Sequence, residues 1–121
     1  MNYKIDNVKK YTETRDWLCG QFFPKGSVLK NPDLEVKYST LMPGDIYPPH
    51  YHPYGTEVSI VIKGKIKYWV DGREVILNDG DFVFMYANVN EAILEVYEPT
   101  TMVSIRTPSV PNNKINLNYK V

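Results

Sequence analysis

Apolar and polar residues alternate along most of the chain in runs of about strand length. These runs predict strands at 17–23, 34–42, 57–63, 65–70, 73–77, 82–86, 92–97 and 101–107. Turn-forming residues separate them, and Asp71-Gly72 suits a two-residue hairpin turn because both positions tolerate positive φ. The pattern therefore predicts an all-β protein.

Two segments depart from this rhythm. Residues 8–14 show a helical periodicity, but it is too weak to predict a short helix there. Residues 108–121 are rich in Asn and Pro and are predicted to form an extended arm or a frayed tail. Eight or more short strands must each bury one face and protect their edges, which favours a small closed β-barrel or jelly roll over an open sheet.

Length and charge narrow the classes of function. A chain of 121 residues is predicted to form one domain, with a barrel core at about 34–107, N-terminal strands within 1–33 and a C-terminal arm at 108–121. The 14 Lys and Arg residues balance the 14 Asp and Glu residues, so no nucleic-acid partner is expected. No apolar run approaches the ~18 residues that span a bilayer, and no signal peptide is visible, so we expect a cytoplasmic protein without a membrane partner.

Both histidines of the chain lie in one short proline-rich segment. His50 and His52 are separated by one residue, and Glu57 follows five residues later. In a strand, residues i and i+2 share a face about 6.5 Å apart, so both imidazoles can converge on one ion. Taken alone, the pair is equally compatible with two structural histidines near a turn, whereas two imidazoles with a carboxylate can bind a divalent metal.

The full spacing resembles the first motif of the cupin superfamily. Gly44, His50, His52, Glu57 and Gly64 stand at its positions.

A second, weaker likeness to the same family begins at Gly80-Asp81. Tyr86 stands where the family motif has Pro, Asn88 replaces its second Gly, and Glu91 stands at the position of the fourth ligand, a histidine. The two motifs and their connection cover residues 44 to about 95.

The resemblance implies a double-stranded β-helix, the cupin jelly-roll barrel, with a metal ion in its lumen and a frequent homodimer. It implies His50, His52 and Glu57 as metal ligands, and the register of Glu91 places an oxygen donor at the fourth position. Two carboxylates favour a harder ion such as Mn²⁺ or Fe²⁺, while Zn²⁺, Ni²⁺ and Co²⁺ stay open. Glu91 is alternatively a catalytic base or a carboxylate at the rim of the site.

Four further residues are candidates for contact with a substrate. Tyr68 and Tyr86 are expected to reach the lumen, and Ser59 is a small lumen residue that leaves space for a ligand. Arg106 could hold a substrate carboxylate or phosphate if it points inward, although an outward ion pair is an equal alternative.

The metal hypothesis has a consequence for strand 57–63. It turns Glu57 toward the lumen, so the more apolar face of the strand, formed by Val58, Ile60 and Ile62, must face outward. A second strand layer or a partner subunit would have to cover that face, which is why we expect a homodimer.

The resemblance therefore predicts a metal-dependent protein acting on a small polar metabolite, as a dioxygenase or an isomerase. The fold does not select the reaction. A non-catalytic metabolite-binding or sensor protein that uses the same pocket is the alternative, and a barrel stapled by a purely structural metal is a third hypothesis.

Overall fold

The computed structural model describes residues 2–14 and 16–118, and it confirms the all-β prediction. One 3-10 helix, Val8–Thr14, precedes eight strands: β1 Trp17–Cys19, β2 Glu35–Leu41, β3 Tyr47–Tyr51, β4 Thr56–Val70, β5 Arg73–Asn78, β6 Phe82–Met85, β7 Glu91–Thr107 and β8 Ile115–Asn116. Within the described residues, no helix is long and apolar enough to cross a bilayer.

The elements differ from the sequence expectation in several places, and the short strands β3 and β8 are additions to the predicted set. The weakly periodic segment forms the 3-10 helix, and β1 ends at Cys19 because the chain turns at Gly20, whose carbonyl accepts a hydrogen bond from the Phe23 amide at 3.3 Å. Two pairs of predicted strands are each one continuous strand, β4 and β7.

Gly64 interrupts the regularity of β4 without ending the strand. Its φ of 129° and its contact with β7 both require glycine, since a Cβ there would lie 2.2 Å from the Thr100 Oγ1 atom. The β4–β7 register shifts on both sides of this position, between Val61 and Ile66. The glycine therefore marks an irregularity at a close backbone approach.

The two long strands organise the sheet. β7 pairs with β2, β3 and β4, and β4 also pairs with β5 and β6, all antiparallel. The hydrophobic core lies between the inward faces of these strands and contains Leu41, Val61, Ile66, Tyr68, Leu77, Ile93, Val96 and Met102.

Polar residues continue the inward face beyond this core. The register places Arg106 of β7 directly between Glu35 of β2 and Glu57 of β4, and the next inward row begins with Lys37. Glu35 of β2 is buried. Glu57 and Ser59 of β4 are also buried, as expected if this side of β4 faces inward. One end of the barrel interior is thus charged.

The opposite side of the same strands is apolar and uncovered in a single chain. Phe82 and Phe84 are 64% and 53% exposed, and Ile62 is 50% exposed. We call this the outer apolar face, and its cross-strand rows consist of Val36, Ile105, Val58 and Phe84, and of Tyr38, Val103, Ile60 and Phe82. The sequence prediction that the apolar side of β4 faces outward agrees with this arrangement.

The described part of the C-terminal segment is an ordered extended arm. β8 pairs with β3 through His50–Asn116 and Tyr51–Ile115. The Asn113 side chain is buried and bonds both the amide and the carbonyl of Tyr54. Residues 119–121, the end of the predicted arm, lie outside the described residues. The arm therefore packs against the segment that carries both histidines.

Candidate metal centre

The β3–β7 register places His50 opposite Glu91. Cross-strand partners point to the same side of a sheet, and both side chains are buried, at 5% and 7% exposure. The His50 Nε2 atom lies 3.9 Å from Glu91 Oε1. The pairing therefore places Glu91, from the second cupin-like motif, next to His50, from the first.

His52, one residue beyond β3, completes a cluster with them. Its Nε2 atom lies 3.6 Å from Glu91 Oε2, and its ring centroid is 5.1 Å from that of His50. One nitrogen from each histidine and one oxygen of Glu91 all lie within 4.8 Å of one another. A single ion can contact three such atoms at once.

Backbone carbonyls fix the tautomer of both imidazoles. The His50 Nδ1 atom lies 2.7 Å from the Pro48 carbonyl oxygen, and the His52 Nδ1 atom lies 2.5 Å from that of Asn113. A carbonyl only accepts, so each Nδ1 must donate and each Nε2 keeps its lone pair. Nε2 is therefore the atom through which each imidazole can accept a hydrogen bond or bind a metal.

Burial shifts the pKa values of all three residues in the cluster. Burial lowers the pKa of His50, and burial together with the positive charge of Arg106 lowers the pKa of His52 to about 4. Both rings are therefore neutral near pH 7. Burial, followed by the negative charge of Glu57, raises the pKa of Glu91 to about 8.

Glu57 lies beside this cluster but is engaged by other groups. Its Oε1 atom is 3.7 Å from His52 Nε2, and it accepts hydrogen bonds from Arg106 Nε at 2.9 Å and Nη2 at 2.5 Å. Ser59 donates to its other oxygen at 2.9 Å. The role of Glu57 as a fourth metal ligand stays a prediction.

Arg106 points into the barrel and links the site together. Its Nη1 atom donates to Glu35 at 2.8 Å, and its Nη2 atom donates both to Glu57 and to the His52 Nε2 lone pair, at 3.0 Å. Burial raises the pKa of Glu35 although Arg106 opposes that change. The guanidinium therefore occupies a position that a metal on His52 would need.

Of the other three residues predicted to contact a substrate, two are buried in the barrel interior and one is exposed. Tyr68 is 2% exposed and donates a hydrogen bond to Glu91, and Ser59 also lines the interior, where it bonds Ser104 at 2.9 Å. The lumen contact expected for Tyr86 stays a prediction. Tyr86 follows the end of β6, is 71% exposed and packs edge-on against Phe84, and it also lines a small pocket with His52 and Glu91.

These groups surround a cavity of about 320 Å³. Its lining also includes three charged residues that the sequence patterns did not single out as site residues: Glu35, Lys37 and Lys114. Glu35 and Lys37 alternate with outward residues along β2, and this alternation is the signal that could have revealed them. Lys114 has no such local signal.

The donor set fits a divalent metal ion. Two neutral imidazoles and one or two carboxylates match the ligands of Mn²⁺, Fe²⁺ and related ions, and they leave positions for a substrate. The carbonyls behind both rings provide the outer hydrogen bonds that such ligands usually have. The residues therefore suit a metal by their chemistry as well as by their proximity.

Part of this chain is similar in sequence to known proteins. A family model described as "Cupin domain" matches residues 37–102. Quercetin 2,3-dioxygenase of Bacillus subtilis (strain 168) is 36% identical over 67 residues, which are 55% of this chain and 20% of that protein. The chain thus spans one fifth of the length of that relative.

Solved structures show the same fold at low sequence identity. KdgF from Halomonas sp. superposes with a TM-score of 0.63 and 17% identity, over 68% of this chain and 74% of that one. Oxalate decarboxylase from Bacillus subtilis gives a TM-score of 0.63 and 20% identity, over 74% and 25% of the two chains. These similarities confirm the predicted jelly-roll barrel.

Proposed function

This chain belongs to the cupin family, and from that premise we propose that it binds one divalent metal ion and acts on a small polar metabolite as a dioxygenase or an isomerase. The convergence of His50, His52 and Glu91 within 4.8 Å carries the proposal. Glu57 is the proposed fourth ligand, and two carboxylates favour Mn²⁺ or Fe²⁺.

The metal, when bound, supplies a Lewis acid that polarises a carbonyl or carboxylate oxygen of the substrate. The protein residues hold and move protons around that position. The Tyr68 hydroxyl donates a hydrogen bond to Glu91. Burial, followed by the negative charge of Glu91, raises the pKa of Tyr68, so the hydroxyl keeps its proton and this hydrogen bond persists at neutral pH. If Glu91 is the catalytic base, its pKa of about 8 allows it to exchange a proton with the substrate near neutral pH.

A non-catalytic metabolite-binding or sensor protein is the second candidate, and one observation favours it. Among the described residues, no buried side-chain nitrogen or oxygen lacks a hydrogen-bond partner. Arg106 hydrogen-bonds both His52 and Glu57, so these buried polar groups have partners without a bound metal. Saturable ligand binding without product would favour this candidate.

Metal content is the first test of the proposal. The chain is purified without added metal and without a histidine tag, and metals are counted by inductively coupled plasma mass spectrometry. We expect close to one Mn or Fe per chain, lost in His50→Ala and Glu91→Ala and retained in Glu95→Ala, an exposed carboxylate on the same strand.

The outcomes separate the candidates. Loss of metal in both site variants supports the ligand set and leads to an oxygen-consumption screen. Retention of metal in Glu91→Ala makes Glu91 a candidate base, and isomerase and lyase assays then come first. Turnover that survives substitution by Zn²⁺ excludes the oxygenase. A chain that takes up no metal on titration is a binding protein.

A further inference from the structure

Two lysines line the cavity without a carboxylate partner. Lys37 follows Glu35 along the inward face of β2, and Lys114 lies in the arm just before β8. The Lys37 ammonium lies 5.6 Å from the Trp17 ring centroid and 5.3 Å from that of Tyr47. Within residues 2–11 and 16–118, no acidic side chain forms an ion pair with either ammonium.

Arg106, the third cation of the cavity, is already neutralised. Its guanidinium donates to Glu35 at 2.8 Å and to Glu57 at 2.5 Å, so both flanking carboxylates are used. A ligand anion would have to displace one of them to reach it. The two lysines offer positive charge at no such cost.

The charge balance of the cavity points to the same conclusion. Three carboxylates line it: Glu35, Glu57 and Glu91. A bound metal ion requires Glu91 to be ionised, and in that state the three cations just described balance the three carboxylates. A divalent ion on the histidines therefore leaves the cavity with an excess of two positive charges. A partly enclosed cavity with one sign of charge concentrates ligands of the opposite sign.

The two lysines also line the same cavity. Burial, followed by the positive charge of Lys37, lowers the pKa of Lys114. An anionic group between two like charges relieves their repulsion, and the two rings under Lys37 limit its freedom before a ligand arrives.

We propose that Lys37 and Lys114 together bind an anionic group of the ligand, a carboxylate or a phosphate, while its other end approaches His50, His52 and Glu91. The ligand class is thus a small metabolite with two negative charges, which balance the excess charge of the metal-loaded cavity. A volume of about 320 Å³ accommodates a molecule of that size. This inference deepens the proposed function and rests on it for the position of the second end.

The test uses three probes and one charge-matched control. Malonate, inorganic phosphate and uncharged malonamide are titrated calorimetrically into Zn²⁺-loaded and metal-free protein. The variants are Lys37→Gln, Lys114→Gln and the double variant, and Lys63→Gln is the control because Lys63 is exposed and outside the cavity lining. Zn²⁺ serves as a redox-inert metal.

We expect the double variant to bind malonate or phosphate about tenfold more weakly, and each single variant to lose part of that affinity. The control should stay within about twofold, and malonamide should bind equally weakly to every variant. The anion that shows the lysine-dependent loss identifies carboxylate or phosphate as the recognised group. Unchanged affinity for both anions in the double variant overturns the inference, as does an equal loss in Lys63→Gln.

Two further measurements keep the result interpretable. Replacing both lysines by arginine retains the charge and should restore most of the affinity, whereas a loss as large as that of the glutamine variants overturns the inference. Zn²⁺ binding is titrated separately for each variant. If Zn²⁺ does not bind, the proposed function fails, and lysine-dependent anion binding to the metal-free protein then still decides the role of the two lysines.

Discussion

Arg106 is the counter-ion of two buried carboxylates in the candidate site. It lies between Glu35 and Glu57 in one cross-strand row and also donates to His52. A cation this close disfavours a second cation on the same imidazole. Metal binding therefore requires this guanidinium to release His52.

Replacement of Arg106 by methionine separates these effects. We expect Arg106→Met to bind Zn²⁺ about tenfold more tightly, because the competing charge is removed and Glu57 is released. The metal-free variant should lose on the order of 3 kcal/mol of stability, since two buried carboxylates lose their partner. Titration calorimetry and chemical denaturation measure the two effects. Arg73→Met, on the exposed part of β5, is the control, and an unchanged or weaker Zn²⁺ affinity contradicts the prediction.

The pKa values of Glu91 and His52 predict how stability depends on pH. The Glu91 pKa rises from 4.5 to about 8, so its contribution to stability is present below pH 4.5 and lost as the pH rises to 8. The His52 pKa falls from 6.5 to about 4, so its contribution is present above pH 6.5 and lost as the pH falls to 4. Between pH 4.5 and 6.5 the two slopes oppose each other.

We therefore expect the metal-free protein to lose stability from pH 6.5 to 8. Saturating Zn²⁺ should abolish this decline, because a metal ion requires the ionised carboxylate. Thermal melting across this range, with and without Zn²⁺, checks the prediction. Glu91→Gln removes the titrating group, so a decline of the same size in that variant would assign the effect to another residue.

At the scale of elements, local spacing predicted one half of the site and long-range pairing determined the other. His50 and His52 are two residues apart, so an extended segment was enough to join them. The carbonyl that orients His52 belongs to Asn113, 61 residues away, and no local pattern indicates that contact. The row around Arg106 likewise depends on the register of strands distant in sequence.

Strand boundaries show the same division. The alternation identified most strands, but a glycine was interpreted as the end of a strand at residue 64, where β4 continues. Gly64 is needed because Thr100 of β7 packs closely against it, and this contact exists only in the folded sheet.

This contact predicts the effect of a single methyl group. Gly64→Ala should destabilise the protein by about 2–4 kcal/mol, because the new Cβ meets Thr100 and the backbone keeps a strained φ. Gly44→Ala has a similar positive φ with open space around it, so it should cost about 1 kcal/mol. Equal losses in chemical denaturation would show that backbone strain alone, without the contact with Thr100, accounts for the requirement.

At the scale of the whole molecule, the outer apolar face is the strongest reason to expect a second copy of the chain. A monomer seldom exposes a contiguous apolar patch of more than a few hundred Å², and this face presents two aromatic side chains among aliphatic ones. The face lies on the reverse of the strands that carry Glu57 and Arg106. Dimerisation would thus cover the back of the candidate site.

Light scattering after size exclusion tests this expectation. The unmodified chain should have twice its mass of 14.0 kDa, and the Phe82→Glu, Phe84→Glu double variant should be a monomer. Ile76→Glu places one charge on an exposed residue outside the face, so it should leave the dimer intact. A monomeric unmodified chain at micromolar concentration would contradict the prediction.

One strand, β7, carries Glu91 at its beginning and Arg106 near its end, and both line the same cavity. An extended segment of this length would span about 50 Å, so the strand must wrap around the barrel for its ends to meet. The two halves of the site are therefore joined through the β4–β7 ladder, which pairs Thr56 with Thr107 at one end and Val70 with Glu91 at the other. Local fraying cannot open such a site while the barrel stays closed, so slow hydrogen exchange at the site and in the core should reflect one cooperative unit.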